Sequence, residues 1–198
     1  MSDQTTVLDP TGFAPARAFR LARKLHSLNG AKIGLLDNRK PNAEALLDQV
    51  SMRLAERHGA SVVSRQAKHT PTGPASAEVL DDLEKAELVL IAMSDCGGCA
   101  AWSVRDAVEI ERRGIPTLLF ATDDFAALVE AQMKLRGSKN LATVTLAHPY
   151  GQIPEAEARR RADAVMDQVV ANAASSVRDA GAKIVRSQPS DEALRIAV

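Results

Sequence analysis

Apolar and polar positions follow two different periods along residues 31–174. Short apolar runs, which are typical of buried strands, cover 32–37, 60–64, 86–93, 115–122 and 141–147. Between them, apolar residues recur at helical spacing over 41–59, 76–85, 101–113, 123–135 and 155–174. Strands that alternate with helices of this length indicate βαβ units. We therefore predict a three-layer α/β protein with a five-stranded parallel sheet, in flavodoxin-like or Rossmann-like order.

The length of the chain predicts one domain. A chain of 198 residues is long enough to bury a sizeable core, and we expect a single domain over 1–198 with its core at about 31–174. Residues 1–29 and 176–198 fit the alternation poorly. We expect them to be peripheral arms that close a site or contribute to a homodimer.

Composition narrows the class of partner. The 25 basic and 25 acidic residues cancel, and aromatic residues make up 3% of the chain, so neither a phosphate-binding charge nor base-stacking platforms are expected. We therefore predict no nucleic-acid partner. No apolar run approaches 18 residues and the first residues lack a signal-peptide pattern, which predicts no membrane partner and a cytoplasmic location.

Both cysteines of the chain lie in one short segment, residues 94–99, between a predicted strand and a predicted helix. In an α/β fold this is where ligands bind, and unpaired N–H groups and the helix dipole there favour a thiolate. Four interpretations are open: a nucleophile with an assisting thiol, a CxxC redox pair, a metal site, or two small residues at a tight turn. The metal interpretation is the weakest, since a second CxxC and a histidine pair at zinc spacing are missing.

Gly97 and Gly98 separate Cys96 from Cys99 and allow a ligand to approach the backbone closely. Successive N–H groups at this point would form a concavity that holds a carboxylate or an oxyanion. The chain has no GxGxxG after its first strand and no Walker motif, so we predict no nucleotide cofactor and propose no other. The partner that this segment favours is a small, anionic molecule.

Loops that follow parallel strands meet at one edge of the sheet, so polar residues after the other strands are candidate partners of Cys96. His148 and His69 are the candidate acid–base residues. Asp95 could orient a base, although capping the following helix is the simpler role. The predicted catalytic residues are Cys96, Cys99, His148 and His69, and the predicted substrate-binding residues are Asp37, Asn38, Lys40, Lys68, Asp95, Gly97, Gly98 and Tyr150.

The segment DCGGCAAWSVRDA at 95–107, continued by EIERRGIP at 109–116, resembles the UGSC family, named for a selenocysteine-Gly-Ser-Cys motif. The segments GLLDNRKPN at 34–42 and VLDPTG at 7–12 resemble it too, so the likeness covers most of the chain. The loop and helix also resemble part of the selenoprotein B subunit of glycine, sarcosine and betaine reductases. There the motif is selenocysteine, any two residues, and cysteine.

The resemblance implies that Cys96 occupies the selenocysteine position and Cys99 the partner position. In those reductases the selenolate attacks a carbon next to a carboxylate and displaces an amine, with the help of partner proteins. Gly98 replaces the serine of the motif, and we expect this difference to matter little. Cysteine in place of selenocysteine matters more, because the thiolate must be generated by its surroundings.

These observations together predict a thiol-dependent enzyme in which Cys96 attacks a small carboxylate-bearing substrate and Cys99 resolves or assists. A cysteine-dependent hydrolase or hydratase without net redox change is one alternative. A non-catalytic subunit of a multi-component reductase is another, and in that case both cysteines would react like ordinary thiols. A second copy of the chain or a partner subunit is the expected protein partner.

Overall fold

The computed structural model describes residues 20–138 and 140–174. Its centre is a parallel sheet of five strands in the order β2-β1-β3-β4-β5. The strands are β1 (Lys32–Asp37), β2 (Ser61–Ala67), β3 (Leu88–Ser94), β4 (Thr117–Thr122) and β5 (Ala142–Leu146). This order is the flavodoxin-like one, so the predicted α/β class is confirmed and the Rossmann-like order is excluded.

Helices cover both faces of the sheet. The helices are α1 (Ala43–His58), α2 (Ala77–Leu83), α3 (Gly97–Arg112), α4 (Ala126–Leu135), α5 (Glu155–Ala164) and α6 (Met166–Ala173), with a 3₁₀ turn at Asp123–Phe125. One apolar cluster joins α1, α5 and α6 to the sheet, and a second joins α2, α3 and α4 to its other face. Neighbouring strand residues alternate between the clusters, as Leu35 and Leu36 do, because side chains of a strand point to opposite faces.

The topology places a crevice between β1 and β3. These strands are neighbours in the sheet, yet the chain leaves β1 toward α1 on one face and leaves β3 toward α3 on the other. Their following loops therefore diverge, and ligands of open α/β sheets bind where this happens. The segment that holds both cysteines follows β3 and lies at this point.

Most elements differ from their sequence-based boundaries by a few residues, and the largest difference is at the last helix. The predicted helix over 155–174 is two helices, because the backbone of Val165 (φ −99°, ψ 5°) ends α5 and redirects the chain. Helix α6 then follows the outer edge of β5, where Gln168 accepts the N–H of Thr145 at 3.4 Å. Asn172 donates to the carbonyl of Thr143 at 3.0 Å on the same edge.

Strand β2 continues to Ala67, beyond its predicted end at residue 64, and α3 begins at Gly97. The polar residues Ser64 and Gln66 belong to β2 and both donate to Asp82 at the end of α2, at 2.7 and 2.6 Å, so β2 continues past the apolar run. Residues 20–29 pack beside the sheet, with Leu25 forming a parallel bridge to Ala174. The rest of the two predicted arms lies outside the described residues.

Candidate functional site

Cys96 occupies the N-cap of α3. Its backbone is extended (φ −163°, ψ 166°), and its Sγ accepts the N–H of Cys99 at 3.3 Å. The side chain is half-buried, and Gly97 and Gly98 beside it are exposed. Sulfur is an uncommon N-cap group. The simpler interpretation of the sequence, in which Asp95 caps this helix, is therefore wrong. The N–H and the helix dipole both favour negative charge on this sulfur.

Cys99 is fully buried one turn into α3. Its thiol donates to the carbonyl of Cys96 at 3.1 Å, and its sulfur accepts the N–H of Asp95 at 3.2 Å. Burial, with the neighbouring Cys96 as the next cause, raises the pKa of Cys99 to about 12, and the ammonium of Lys40 partly offsets this rise. Cys99 therefore carries its proton at neutral pH, whereas Cys96 is the thiol that solvent reaches.

Asp95 connects the cysteine segment to the loop between β5 and α5 (the β5–α5 loop, residues 147–154). Its carboxylate has 3% of its side-chain surface exposed and lies 3.0 Å from Nδ1 of His148. It also accepts the N–H of Gly151 at 3.1 Å and of Tyr150 at 3.4 Å. These contacts occupy both carboxylate oxygens, so Asp95 lies behind the site and orients the histidine.

The two ring nitrogens of His148 have different neighbours: Nδ1 faces Asp95 and Thr122, and Nε2 lies 3.9 Å from the exposed carboxylate of Asp124. A carboxylate can only accept, so the contact with Asp95 places the proton on Nδ1 and leaves Nε2 as the basic nitrogen. Thr122 lies 3.2 Å from the same Nδ1, and its hydroxyl donates to the carbonyl of Ser94 at 3.3 Å. The ring packs against Phe125 at 5.6 Å between centroids and keeps 27% of the side-chain surface exposed.

The β5–α5 loop is held over the site by buried contacts. The amide of Asn42 donates to the carbonyls of Tyr150 and Ile153, both at 2.9 Å. Tyr150 is fully buried and its hydroxyl donates to the carbonyl of Ala158 at 2.6 Å, and burial raises the pKa of this phenol. Tyr150 therefore joins the loop to α5 from inside the protein. Its predicted contact with a substrate stays a prediction.

The loop after β1 supplies one cation and one buried amide. The ammonium of half-buried Lys40 has no carboxylate partner among residues 20–138 and 140–174. Asn38 is fully buried and donates to the carbonyl of Met93 at 2.7 Å, so it joins β1 to β3. Asp37 lines a different cavity, of about 230 Å³, beside Arg39 and Arg65, and burial raises the pKa of its carboxyl.

Lys68 is engaged inside the protein. Its ammonium lies 2.6 Å from Asp106 on α3, and the two side chains are 1% and 0% exposed. Asp106 also accepts the N–H of Ala75 at 3.1 Å. His69, the next residue, is exposed on the loop that leads from β2 to α2 (the β2–α2 loop, residues 68–76). The predicted substrate contact of Lys68 stays a prediction, and the geometry gives this lysine a structural partner.

The structure thus brings Cys96, Cys99, Asp95, His148 and Lys40 to one edge of the sheet and leaves Asp37 in a separate cavity. Sequence reasoning missed the role of Asp106. The sequence does contain a pattern that predicts the burial of Asp106. Cys99, Ser103 and Asp106 follow each other at spacings of four and three residues, so they share the buried face of α3. A carboxylate on a buried face requires a partner.

Two searches of the described residues complete this description. Within 20–138 and 140–174, no three histidine, cysteine, aspartate or glutamate side chains form a group that could hold a metal ion. In the same part of the chain, every helix is too short or too polar to cross a membrane.

The fold and site define a flavodoxin-like α/β protein with a cysteine pair at the start of the helix that follows its central strand. Residues 6–175 match the family model described as the UGSC family, and the chain belongs to this family. The resemblance to the selenoprotein B subunit is not tested by this match and stays a prediction.

A comparison with curated proteins gives no match. Among solved structures, two mutants of a flavo di-iron protein from Thermotoga maritima are similar to the chain. Both are 14% identical to it and cover 71% of it, with TM-scores of 0.43 and 0.41. The chain spans 36% and 35% of those longer proteins.

Proposed function

We propose that this protein is an enzyme that uses Cys96 as a nucleophile on a small, carboxylate-bearing molecule. The observation that carries the proposal is the place of the Cys96 sulfur, half-buried at the start of a 16-residue helix and 3.3 Å from the N–H of Cys99. An N–H donor and the positive end of a helix both stabilise a thiolate, the reactive form of cysteine. Membership of the UGSC family supports the proposal, since the resemblance described above aligns Cys96 with the first residue of the family motif.

The first step is a substitution. The thiol of Cys96 gives its proton to Nε2 of His148, the resulting thiolate attacks an electrophilic carbon, and a C–S bond forms. The leaving group departs with its electron pair and takes that proton from Nε2. Lys40 and the exposed amides of Gly97 and Gly98 would hold the carboxylate during this step.

A reductive second step uses Cys99. Its sulfur attacks the sulfur of Cys96, the S–S bond forms, the C–S bond breaks, and the substrate carbon takes up the proton that Cys99 loses. The substrate gains two electrons, and a dithiol reductant returns the disulfide to two thiols. A reducing compartment such as the cytoplasm would supply such a reductant, and both cysteines are free in the structure.

A hydrolase or hydratase without net redox change is a second candidate. The contact of 3.0 Å between Asp95 and Nδ1 of His148 favours it, because a carboxylate that orients a histidine is the usual arrangement for activating water. In this route Cys99 stays reduced, and its buried thiol supports the loop through the carbonyl of Cys96.

The first experiment alkylates the folded protein with iodoacetate and with iodoacetamide, and peptide mass spectrometry assigns the modified cysteine. Iodoacetate carries a leaving group on a carbon next to a carboxylate, as the proposed substrate does. We expect Cys96 to react first, at pH 6.5 faster than free cysteine, and with a preference for iodoacetate that Lys40→Gln lowers severalfold. Lys32→Gln, at the opposite edge of the sheet, is the matched control and should leave the preference unchanged.

Equal reactivity of Cys96 and free cysteine at pH 6.5 would refute the proposal and favour a non-catalytic subunit. The two enzymatic routes differ in stoichiometry once a substrate is found. The reductive route consumes two thiols per turnover and stalls without added dithiol, and Cys99→Ser stops it after the first substitution. The hydrolytic route consumes none and tolerates Cys99→Ser, whereas Cys96→Ser abolishes both.

A further inference from the structure

The β2–α2 loop lies directly against the first turn of α3. A Cβ built on Gly98 would lie 2.8 Å from Cγ2 of Thr72, closer than real Cβ contacts allow. Thr72 and Gly98 are both exposed, and Gly98 is two residues from Cys96. The methyl group of Thr72 therefore borders the same turn on which the sulfur of Cys96 rests.

Buried contacts hold the two ends of this loop. Asp106 accepts from the ammonium of Lys68, before Thr72 in the sequence, at 2.6 Å. It also accepts from the N–H of Ala75, after Thr72, at 3.1 Å. Within the loop, the N–H of Thr72 donates to the hydroxyl of Thr70 at 3.4 Å, and the two hydroxyls lie 3.3 Å apart. The hydroxyl of Thr72 is thus turned toward Thr70 and its methyl toward Gly98.

We propose that the methyl group of Thr72 is a specificity-determining wall that limits the size of molecules reaching Cys96. This inference rests on the proposed function and adds to it the selection of small substrates. Asp106 and Lys68 act as positioning residues, because they fix the loop that carries the wall. A side chain at position 98, such as the serine of the motif, would displace the methyl group of Thr72.

The test compares iodoacetamide with iodoacetanilide, which share the same reactive carbon and differ by one phenyl ring. The measured quantity is the ratio of their alkylation rates at Cys96, assigned by mass spectrometry. Thr72→Ser removes the methyl and keeps the hydroxyl, and we expect it to raise the relative rate of iodoacetanilide about tenfold, the usual effect of one methyl in a fitted site. Thr72→Val keeps the methyl and should leave the ratio as in the wild type.

Thr143→Ser, the same chemical change on β5, is the control and should have no effect. Lys68→Met should raise the relative rate of iodoacetanilide as well, at a temperature where circular dichroism shows the variant folded. An unchanged ratio in Thr72→Ser overturns the inference, and so does an equal rise in Thr72→Ser and Thr72→Val, which would indicate a loosened loop. At pH 9 any accessible thiol reacts, so the ratio remains measurable even if Cys96 proves no more reactive than free cysteine.

Discussion

The ion pair between Lys68 and Asp106 is the buried contact whose removal we expect to be most costly. The two side chains are 1% and 0% exposed and their charged atoms lie 2.6 Å apart. Breaking a buried pair by removing one partner costs about 3–5 kcal/mol, because the remaining charge is left without compensation. The two single variants differ in what remains.

In Lys68→Met, Asp106 keeps the N–H of Ala75 and the guanidinium of Arg105, each at 3.1 Å. We therefore expect the free energy of unfolding to fall by about 3 kcal/mol, the lower end of that range. In Asp106→Leu, the ammonium of Lys68 loses its described partner and Ala75 loses its acceptor. We expect a loss of about 5 kcal/mol.

Urea denaturation of both variants measures these losses, and thermal unfolding should show midpoints lower by about 2–4 °C for each kcal/mol. The double variant, which combines Lys68→Met with Asp106→Leu, removes both charges of the pair and should be more stable than Asp106→Leu alone. Single variants that each lose less than about 1 kcal/mol would contradict the reasoning, since a surface pair costs that little.

Three further predictions concern an ion pair between α1 and α5 and two contacts of the β5–α5 loop. The guanidinium of Arg53 lowers the pKa of Asp163 to about 2, so the stabilisation from this carboxylate is present above its unfolded pKa of about 3.9 and is lost as the pH falls to 2. The difference in urea midpoint between wild type and Asp163→Asn should shrink over that interval, and a constant difference would contradict this pH dependence. Tyr150→Phe leaves the carbonyl of Ala158 without its 2.6 Å donor and should cost about 1 kcal/mol in urea denaturation, and no loss would mean that the bond contributes nothing. Asn42→Ala removes both contacts to the β5–α5 loop, and hydrogen exchange in that loop should accelerate; unchanged protection would show that other contacts suffice.

The strands were predictable because the sheet is covered on both faces. β3 and β4 are buried along their whole length, and such strands appear in the sequence as continuous apolar runs. The break between α5 and α6 was not, because the apolar spacing continues through Val165. The structure gives the reason for this break: α6 turns to cover the N–H and carbonyl groups along the outer edge of β5.

The difference in exposure between the two cysteines was also predictable, since the first cysteine of a CxxC precedes the helix and the second lies in its first turn. The contact between Asp95 and His148 was not, because it depends on where Asn42 holds the β5–α5 loop. Lys68 follows a strand in the sequence, where an exposed lysine that binds substrate was expected. Its burial follows from Asp106 on the inner face of α3, which a local pattern cannot pair with it.

The contacts of Asp95 have a consequence for synthesis on the ribosome. Its carboxylate binds backbone N–H groups 55 and 56 residues further along the chain. A nascent chain that has emerged only through β4 contains Cys96 and the whole of α3 but lacks His148 and the loop that orients it. The proposed nucleophile, Cys96, is thus made before its proposed base, and the proposed reaction would require that β5 has joined the sheet.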